Sequence, residues 1–242
     1  MSISAPHDRV GLRAHGDPAV VVSAVHPYNA VMAFSLRVGG CSPPPLETRN
    51  FSVQHGDAPE NVNRNFALLG SHLSIDAGRI ATCRQVHGDD VVLLDDVPGT
   101  TPSADAMITS VPNLYVGVKT ADCVPILLID PIRRVSAAVH AGWRGTVKRI
   151  TRKTVQLMKE RYHCREENMV AAVGPAIRGC CYEVDDAVLV PFTQNVPDSE
   201  RFIATVRKNG SPRDAHTLDL VATNREELKR EGIPPNSIYD VN

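Results

Sequence analysis

Three side chains in this 242-residue sequence are of types that could share one task. His87 lies in "QVHGDD", Cys123 in "TADCVPILLID" and His140 in "AAVHAGWRG". Each falls at or near the end of a run that reads as a strand. Each is followed closely by a turn-former: Gly88, Pro125 or Gly142. Imidazole nitrogen and thiolate sulfur suit a tetrahedral zinc shell. Three protein ligands leave the fourth position to water or substrate, the arrangement of a catalytic site. The same residues allow a second chemistry, a Cys123–His140 nucleophile pair with an acid such as Asp122 orienting the base. Spacing does not separate the two. Taken singly, a buried cysteine is more often a small hydrophobe than a ligand.

These residues need strands to carry them. Cys123 and His140 stand 17 positions apart, which suits two neighbouring strands joined by a turn at "DPIRR". The pattern predicts strands at Tyr115–Lys119, at Pro125–Ile129 and over "RVSAAVH", with two more around a turn at "HGDD". Further strands are read in "AVMAFSLRVGG", "NMVAAVGPAI" and "RFIATVRKNG". "CSPPPLETRN" is a loop, because consecutive prolines cannot continue a sheet. A helix is expected after Asp57, which is placed to cap, with Pro59 in the first turn, Glu60 set for a capping box, and Val62, Phe66 and Leu69 as its apolar stripe. "GTVKRITRKTVQLMKERY" reads as one helix with Val147, Ile150, Leu157 and Met158 on one side. "DDAVLVPFTQ" reads as a short helix. The segment "LDLVATNREELKREGI" reads as a helix capped by Asp219 and closed by Gly232. Strands and helices alternate without a strict βαβ rhythm. The expected class is mixed α/β (α+β) in a single domain over residues 21–242, preceded by a polar, flexible lead over residues 1–20.

Composition narrows the function. A 43% apolar content supports a sizeable core, and a net charge of −1 gives no electrostatic footprint for nucleic acid. The densest basic run, "WRGTVKRITRK", reads as a solvated helix face. No apolar stretch is long enough to span a membrane, and the first residues lack the apolar core of a signal peptide. The cytoplasm is the expected compartment, where the six scattered cysteines stay mostly reduced. There is no C-x-x-C, and adjacent Cys180 and Cys181 read as packing residues rather than a redox pair. The segments "RVGGCS", "HAGWRGT" and "VGPAIRG" match no phosphate-binding fingerprint. Arg37 and Arg144 beside such turns are candidates to hold a phosphate. Trp143 reads as a packing residue that is also able to stack on a planar ring.

Read jointly, "LRVGGCS", "HGDAPENVNRN", "RQVHGDDV", "KTADCVPILLID", "AAVHAGWRGT", "VGPAIRGCCYEV" and "LDLVATNREELKREGI" resemble the laccase-domain family, long labelled multicopper polyphenol oxidase and now regarded as purine nucleoside phosphorylases. The resemblance runs from about Phe34 to the last residue. It implies a zinc site of His87, Cys123 and His140. Beside that site the residues themselves offer Cys123, His140 and Asp122 as catalytic candidates, Asp122 or Asp105 as the acid that would shuttle a proton in deamination, and Arg37 and Arg144 as phosphate holders. The resemblance implies purine nucleosides (inosine, adenosine, guanosine, methylthioadenosine) and phosphate as partners, adenosine deaminase as a further activity, and a monomer or small homo-oligomer. The implied fold is a sandwich of mixed sheets with flanking helices, shared with a cytotoxic-necrotizing-factor-like deamidase that uses a Cys–His pair. By that analogy a Cys–His amidohydrolase stays open. A non-enzymatic regulatory or binding protein with a structural zinc stays open too. Family members continue past the last helix into a Cys-Thr motif and an arginine-rich strand, which the resemblance marks as missing after "SIYDVN". Multicopper oxidation is not supported: it needs paired His-x-His motifs, and none occurs among the nine histidines. Copper bound adventitiously would give only weak oxidation.

Overall fold

The computed structural model describes residues 10–14, 20–25, 30–206 and 215–241, the first two stretches as backbone alone. The chain divides into two compact units. The first holds the described residues up to Ala81 together with Val111–Tyr115, and the second holds Thr82–Ser110 and the described residues from Val116 onward.

In the first unit, β1 (Val10–Ala14), β2 (Val20–Val25) and β3 (Ala30–Ser35) form an antiparallel meander. β1 lies within the expected lead, and the remainder of that lead is outside the described residues apart from Val20. Met32 and Phe34 alternate with more exposed residues on β3, as a half-buried strand requires. Helix α1 (Pro59–Leu73) starts with proline, whose missing N–H would be unpaired in a first turn anyway. Asp57 does not cap it, and no capping box forms. The N-cap is Ala58, without a side-chain bond. The Asp57 carboxylate instead accepts from Asn61 Nδ2 (2.9 Å) and Asn50 Nδ2 (2.8 Å), tying the helix to the loop before it. Asn65 on α1 is fully buried and knots the same loop. Its Oδ1 accepts from Cys41 N (2.9 Å), and its Nδ2 donates to Ser42 Oγ (2.9 Å) and Asn50 O (2.8 Å).

Strands β4 (Ile80–Thr82) and β7 (Tyr115–Gly117) span two of the three points in the sequence where the chain passes from one unit to the other. The second unit is built on a six-stranded mixed sheet of β5 (Val91–Leu94), β6 (Ala106–Thr109), β8 (Val124–Asp130), β9 (Val135–Ala141), β10 (Val170–Val173) and β14 (Ile238–Asp240). The spatial order is β14-β10-β8-β9-β6-β5. β10 runs parallel to β14 and β5 parallel to β6, and the other pairs are antiparallel. β5 therefore does not fold back on β4 about "HGDD". The β8–β9 turn falls at "DPIRR" as expected, because Asp130 Oδ1 accepts from the amides of Ile132 and Arg133, both at 2.9 Å.

Helices α2 (Trp143–Val147), α3 (Ile150–Tyr162), α4 (Asp186–Asn195) and α5 (Leu220–Arg230) flank this sheet, with a small sheet of β11 (Glu183–Val184), β12 (Ile203–Val206) and β13 (Ala215–Leu218) in the order β11-β13-β12. Ile126, Leu128, Val139, Ile150, Met158 and Leu228 belong to one buried core. The helix expected over "GTVKRITRKTVQLMKERY" is two helices. Arg149 takes a left-handed conformation (φ 60°) at the break, which costs a non-glycine residue about 1 kcal/mol. Its guanidinium meets both carboxylate oxygens of Glu227 at 3.0 Å, and the redirected chain buries Ile150 completely. The basic run is matched by acids rather than merely solvated: Arg152 pairs with Glu231, and Lys148 and Lys153 pair with Asp89. Asp219 caps α5 by accepting from Ala222 N (2.8 Å), and Gly232 (φ 94°) follows its end, both as expected. Among the described residues no helix is long and apolar enough to cross a membrane.

Candidate metal centre

The register of the main sheet assembles the site. β8 and β9 pair Val124 with Ala141 and Pro125 with His140, so one step further Cys123 faces Gly142. β6 and β9 pair Ala106 with Val139, so one step further Asp105 faces His140. There His140 N donates to Asp105 O (2.7 Å). Opposed residues, and residues two apart on a strand, share a face. Cys123, Asp105, His140 and Gly142 therefore stand together at one end of the sheet.

His87 comes from the loop before β5, and Asp105 fastens that loop. The carboxylate is fully buried and accepts from Val86 N (3.2 Å), His87 N (3.0 Å) and Gly88 N (2.7 Å). These bonds hold His87 at a positive φ of 56°, a region that only a well-anchored non-glycine residue occupies. The same carboxylate meets His140 Nδ1 at 2.8 Å. That bond spends Nδ1 and leaves Nε2 as the outward nitrogen, the way a carboxylate fixes the tautomer of a metal-binding histidine. Gln85 adds a second fastening. Its Nε2 donates to Lys119 O (2.7 Å) and its Oε1 accepts from Lys119 N (2.8 Å), which clamps the His87 loop to the chain leading into Cys123.

His87, Cys123 and His140 each offer a ligand atom, and these atoms lie within 4.8 Å of one another. Ligand atoms around a tetrahedral zinc stand about 3.4–3.6 Å apart, so small side-chain rotations close the shell. The clearing between them is kept by Gly142. A Cβ there would come within 3.0 Å of Cys123 Sγ, 3.3 Å of His87 Cδ2 and 3.8 Å of His140 Cε1. Exposure rises from buried His140 through half-buried Cys123 to exposed His87, so the centre opens to solvent on one side. Among the described residues no other group of three or more such side chains converges. The residues thus fit a cation held by three ligands with an open position.

The electrostatics agree with that geometry. Burial pushes the Cys123 thiol up, and the charges of Asp122 and Asp105 push it further, so the thiol keeps its proton until a cation replaces it. Burial lowers His140, against the opposing pull of Asp105, which favours the neutral ring that binds metal. Burial alone would raise Asp105. The bonds from His140 and from the Gly88 and Val86 amides outweigh it and hold the carboxyl below its usual range.

The other expected residues fall as follows. Asp122 is exposed beside Cys123, and the carboxylate on His140 is that of Asp105. Arg144 is exposed at the start of α2, its guanidinium 4.3 Å from the centre of the Trp143 ring. Trp143 packs against the core, as expected. Arg37 belongs to the first unit, where its Nε donates to Glu47 O (2.8 Å). Cys180 and Cys181 are not packing residues: both are exposed. Gln85 and Tyr182 escape the sequence reading. Tyr182 is half-buried, and burial first and then the charge of Cys123 push its phenol up.

A mixed α/β fold with a His–Cys–His cluster at the end of its main sheet defines the class, and comparison with known proteins gives the family. Residues 31–242 match the family described as multi-copper polyphenol oxidoreductase laccase, and the chain belongs to it. It is 33% identical over 211 residues to a purine nucleoside phosphorylase of Bacteroides thetaiotaomicron, covering 84% of this chain and 77% of that one. It is 31% identical over 219 residues to purine nucleoside phosphorylase YlmD of Geobacillus stearothermophilus, covering 87% and 78%. The fold is shared with the crystal structure of the Bacillus licheniformis hypothetical protein YfiH. The TM-score is 0.84 at 29% identity, over 95% of this chain and 87% of that one.

Proposed function

We propose that this chain is a zinc-dependent purine nucleoside phosphorylase of the cytoplasm. The observation that carries the reading is the open convergence of His87, Cys123 and His140 in a chain that is 33% identical over 211 residues and 31% identical over 219 to two proteins bearing that name. These three would hold the ion, which when bound supplies Lewis-acid polarisation of an oxygen. In phosphorolysis a phosphate oxygen bonds to the ribose anomeric carbon while the bond to the purine breaks and the leaving base takes a proton. Arg144, exposed at the start of α2 and two residues after Gly142, is the proposed phosphate holder, since its planar donor fork suits bidentate bonds to phosphate oxygens. Arg37 is the weaker candidate, since its Nε is already given to Glu47. Asp122, exposed next to Cys123, is the proposed proton donor. Asp105 does not meet substrate. It keeps His140 in one tautomer and His87 on station.

The convergence of a second histidine, His87, on the same point favours this reading over a Cys–His nucleophile pair, which needs only one. The test is zinc-loaded protein incubated with inosine, adenosine and methylthioadenosine, with and without phosphate. Inosine is expected to give hypoxanthine and ribose 1-phosphate only when phosphate is present. Ammonia released from adenosine without phosphate would mark deamination. No base released from any of the three would overturn the proposal. Cys123→Ser is expected to regain part of its activity at high zinc, whereas a missing nucleophile would not be restored by metal.

A further inference from the structure

The turn leading into β11 carries two chemically reactive groups that the reading above does not use. Cys180 and Cys181 are both exposed, and their sulfurs lie 2.9 Å apart. Successive side chains usually diverge. Here the turn, closed by Cys181 N and Tyr182 N donating to Arg178 O (2.9 and 3.0 Å), aims both thiols at one point. The other four cysteines are differently placed. Cys83 and Cys164 are buried, Cys41 Sγ lies 3.4 Å from Asn65 Oδ1, and Cys123 belongs to the metal centre.

We infer that Cys180 and Cys181 form a reversible dithiol–disulfide site, oxidised by small disulfides of the glutathione class to a bond between the adjacent sulfurs. The sulfur of Cys180 attacks one sulfur of the small disulfide, forming a mixed disulfide and releasing one thiolate. The sulfur of Cys181 then displaces the second thiolate and closes the bond. Both protein thiols lose a proton, the two released thiolates take them up, and the small disulfide is the species reduced. Cys181 is pushed up first by its hydrogen bond to Cys180 and then by the charge on Cys180. Closing a bond between adjacent residues forces Cα atoms about 3.8 Å apart into a linkage that prefers about 4.4–6.8 Å. The product is therefore readily reduced again, the property of regulatory rather than structural disulfides. The same loop borders the metal centre: Gly174 N donates to Pro125 O (2.9 Å) and Ile177 N to Asp122 O (3.0 Å).

The experiment exposes the full zinc-loaded chain to glutathione disulfide, quenches with acid, alkylates free thiols and maps tryptic peptides by mass spectrometry. Peptide Gly179–Arg201 should be lighter by two hydrogen atoms, carry no alkyl group, and accept two after treatment with dithiothreitol. Cys180→Ser and Cys181→Ser should each keep glutathione as a stable adduct on the remaining thiol. Full alkylation of the wild-type peptide after exposure would overturn the inference. So would a lasting glutathione adduct on it, with the other sulfur alkylated.

Discussion

Asn65 in the first unit and Asp105 in the second are both fully buried polar side chains that fasten a loop by several hydrogen bonds. Asn65 spends its oxygen and nitrogen on groups of its own loop, and nothing chemical is left over. Asp105 also gathers backbone amides, but it binds one nitrogen of a histidine whose other nitrogen remains outward, beside a second histidine and a thiol. The glycines next to the two hubs repeat the contrast. A Cβ on Gly40 would strike the Thr48 carbonyl, Arg49 Cα (2.5 Å) and Asn65 Oδ1 (2.6 Å). A Cβ on Gly142 would meet the edges of ligand side chains. A buried polar hub is a structural rivet when its bonds close on themselves. It becomes a site when it orients atoms it does not consume.

Substitutions at these positions test the contrast. Gly40→Ala should destabilise most, by about 3 kcal/mol or more, because backbone must move to admit the methyl group. Urea denaturation measures this, and zinc affinity should stay within error of wild type. Asp105→Asn should weaken zinc about 10- to 100-fold, read by competition with a chromogenic chelator, as loss of a histidine-orienting carboxylate does elsewhere. Unchanged affinity there would remove Asp105 from the site. Gly142→Ala should cost about tenfold in zinc affinity, or ~1.4 kcal/mol, with little change in urea midpoint, since φ at this position (−69°) suits any residue.

The smallest effect concerns acid. Asp57 is held below the usual carboxylate range by hydrogen bonds from Ser42, Asn50 and Asn61. Its contribution is complete above the unfolded value of about 4 and is lost as pH falls through the lower folded value. Asp57→Asn should therefore melt with a flatter pH dependence than wild type below about pH 4. Parallel profiles would show that Asp57 takes no part in the acid response.

The sequence exposes what is local. The Asp219 cap, the "DPIRR" turn and the apolar runs of β8 and β9 are legible because each rests on neighbours within a few residues. Residue type singles out His87, Cys123 and His140 as candidates, and the family resemblance rather than their spacing joins them into a metal set. β6 is hidden because it is only four residues long, and just Ile108 and Thr109 of its "AMIT" are of strand-favouring type. With β6 hidden, the facing of Asp105 and His140 is hidden too. Gln85 reaches Lys119 across 34 residues, and the α2–α3 break depends on Glu227, 78 residues from Arg149. No local window contains either partner. Cys180 and Cys181 mislead for the opposite reason: their composition suggests burial, while the turn after Arg178 sets them in solvent.

Asp105 and the strand register are held here to aim three side chains at one cation, and anomalous diffraction at the zinc edge from crystals of zinc-loaded protein tests this most directly. One strong peak per chain is expected, bonded to His140 Nε2, Cys123 Sγ and a ring nitrogen of His87 at about 2.0–2.3 Å, with the fourth position turned to solvent. Zinc bound elsewhere, a closed shell with a fourth protein ligand, or no ordered zinc from a zinc-saturated solution would contradict the account.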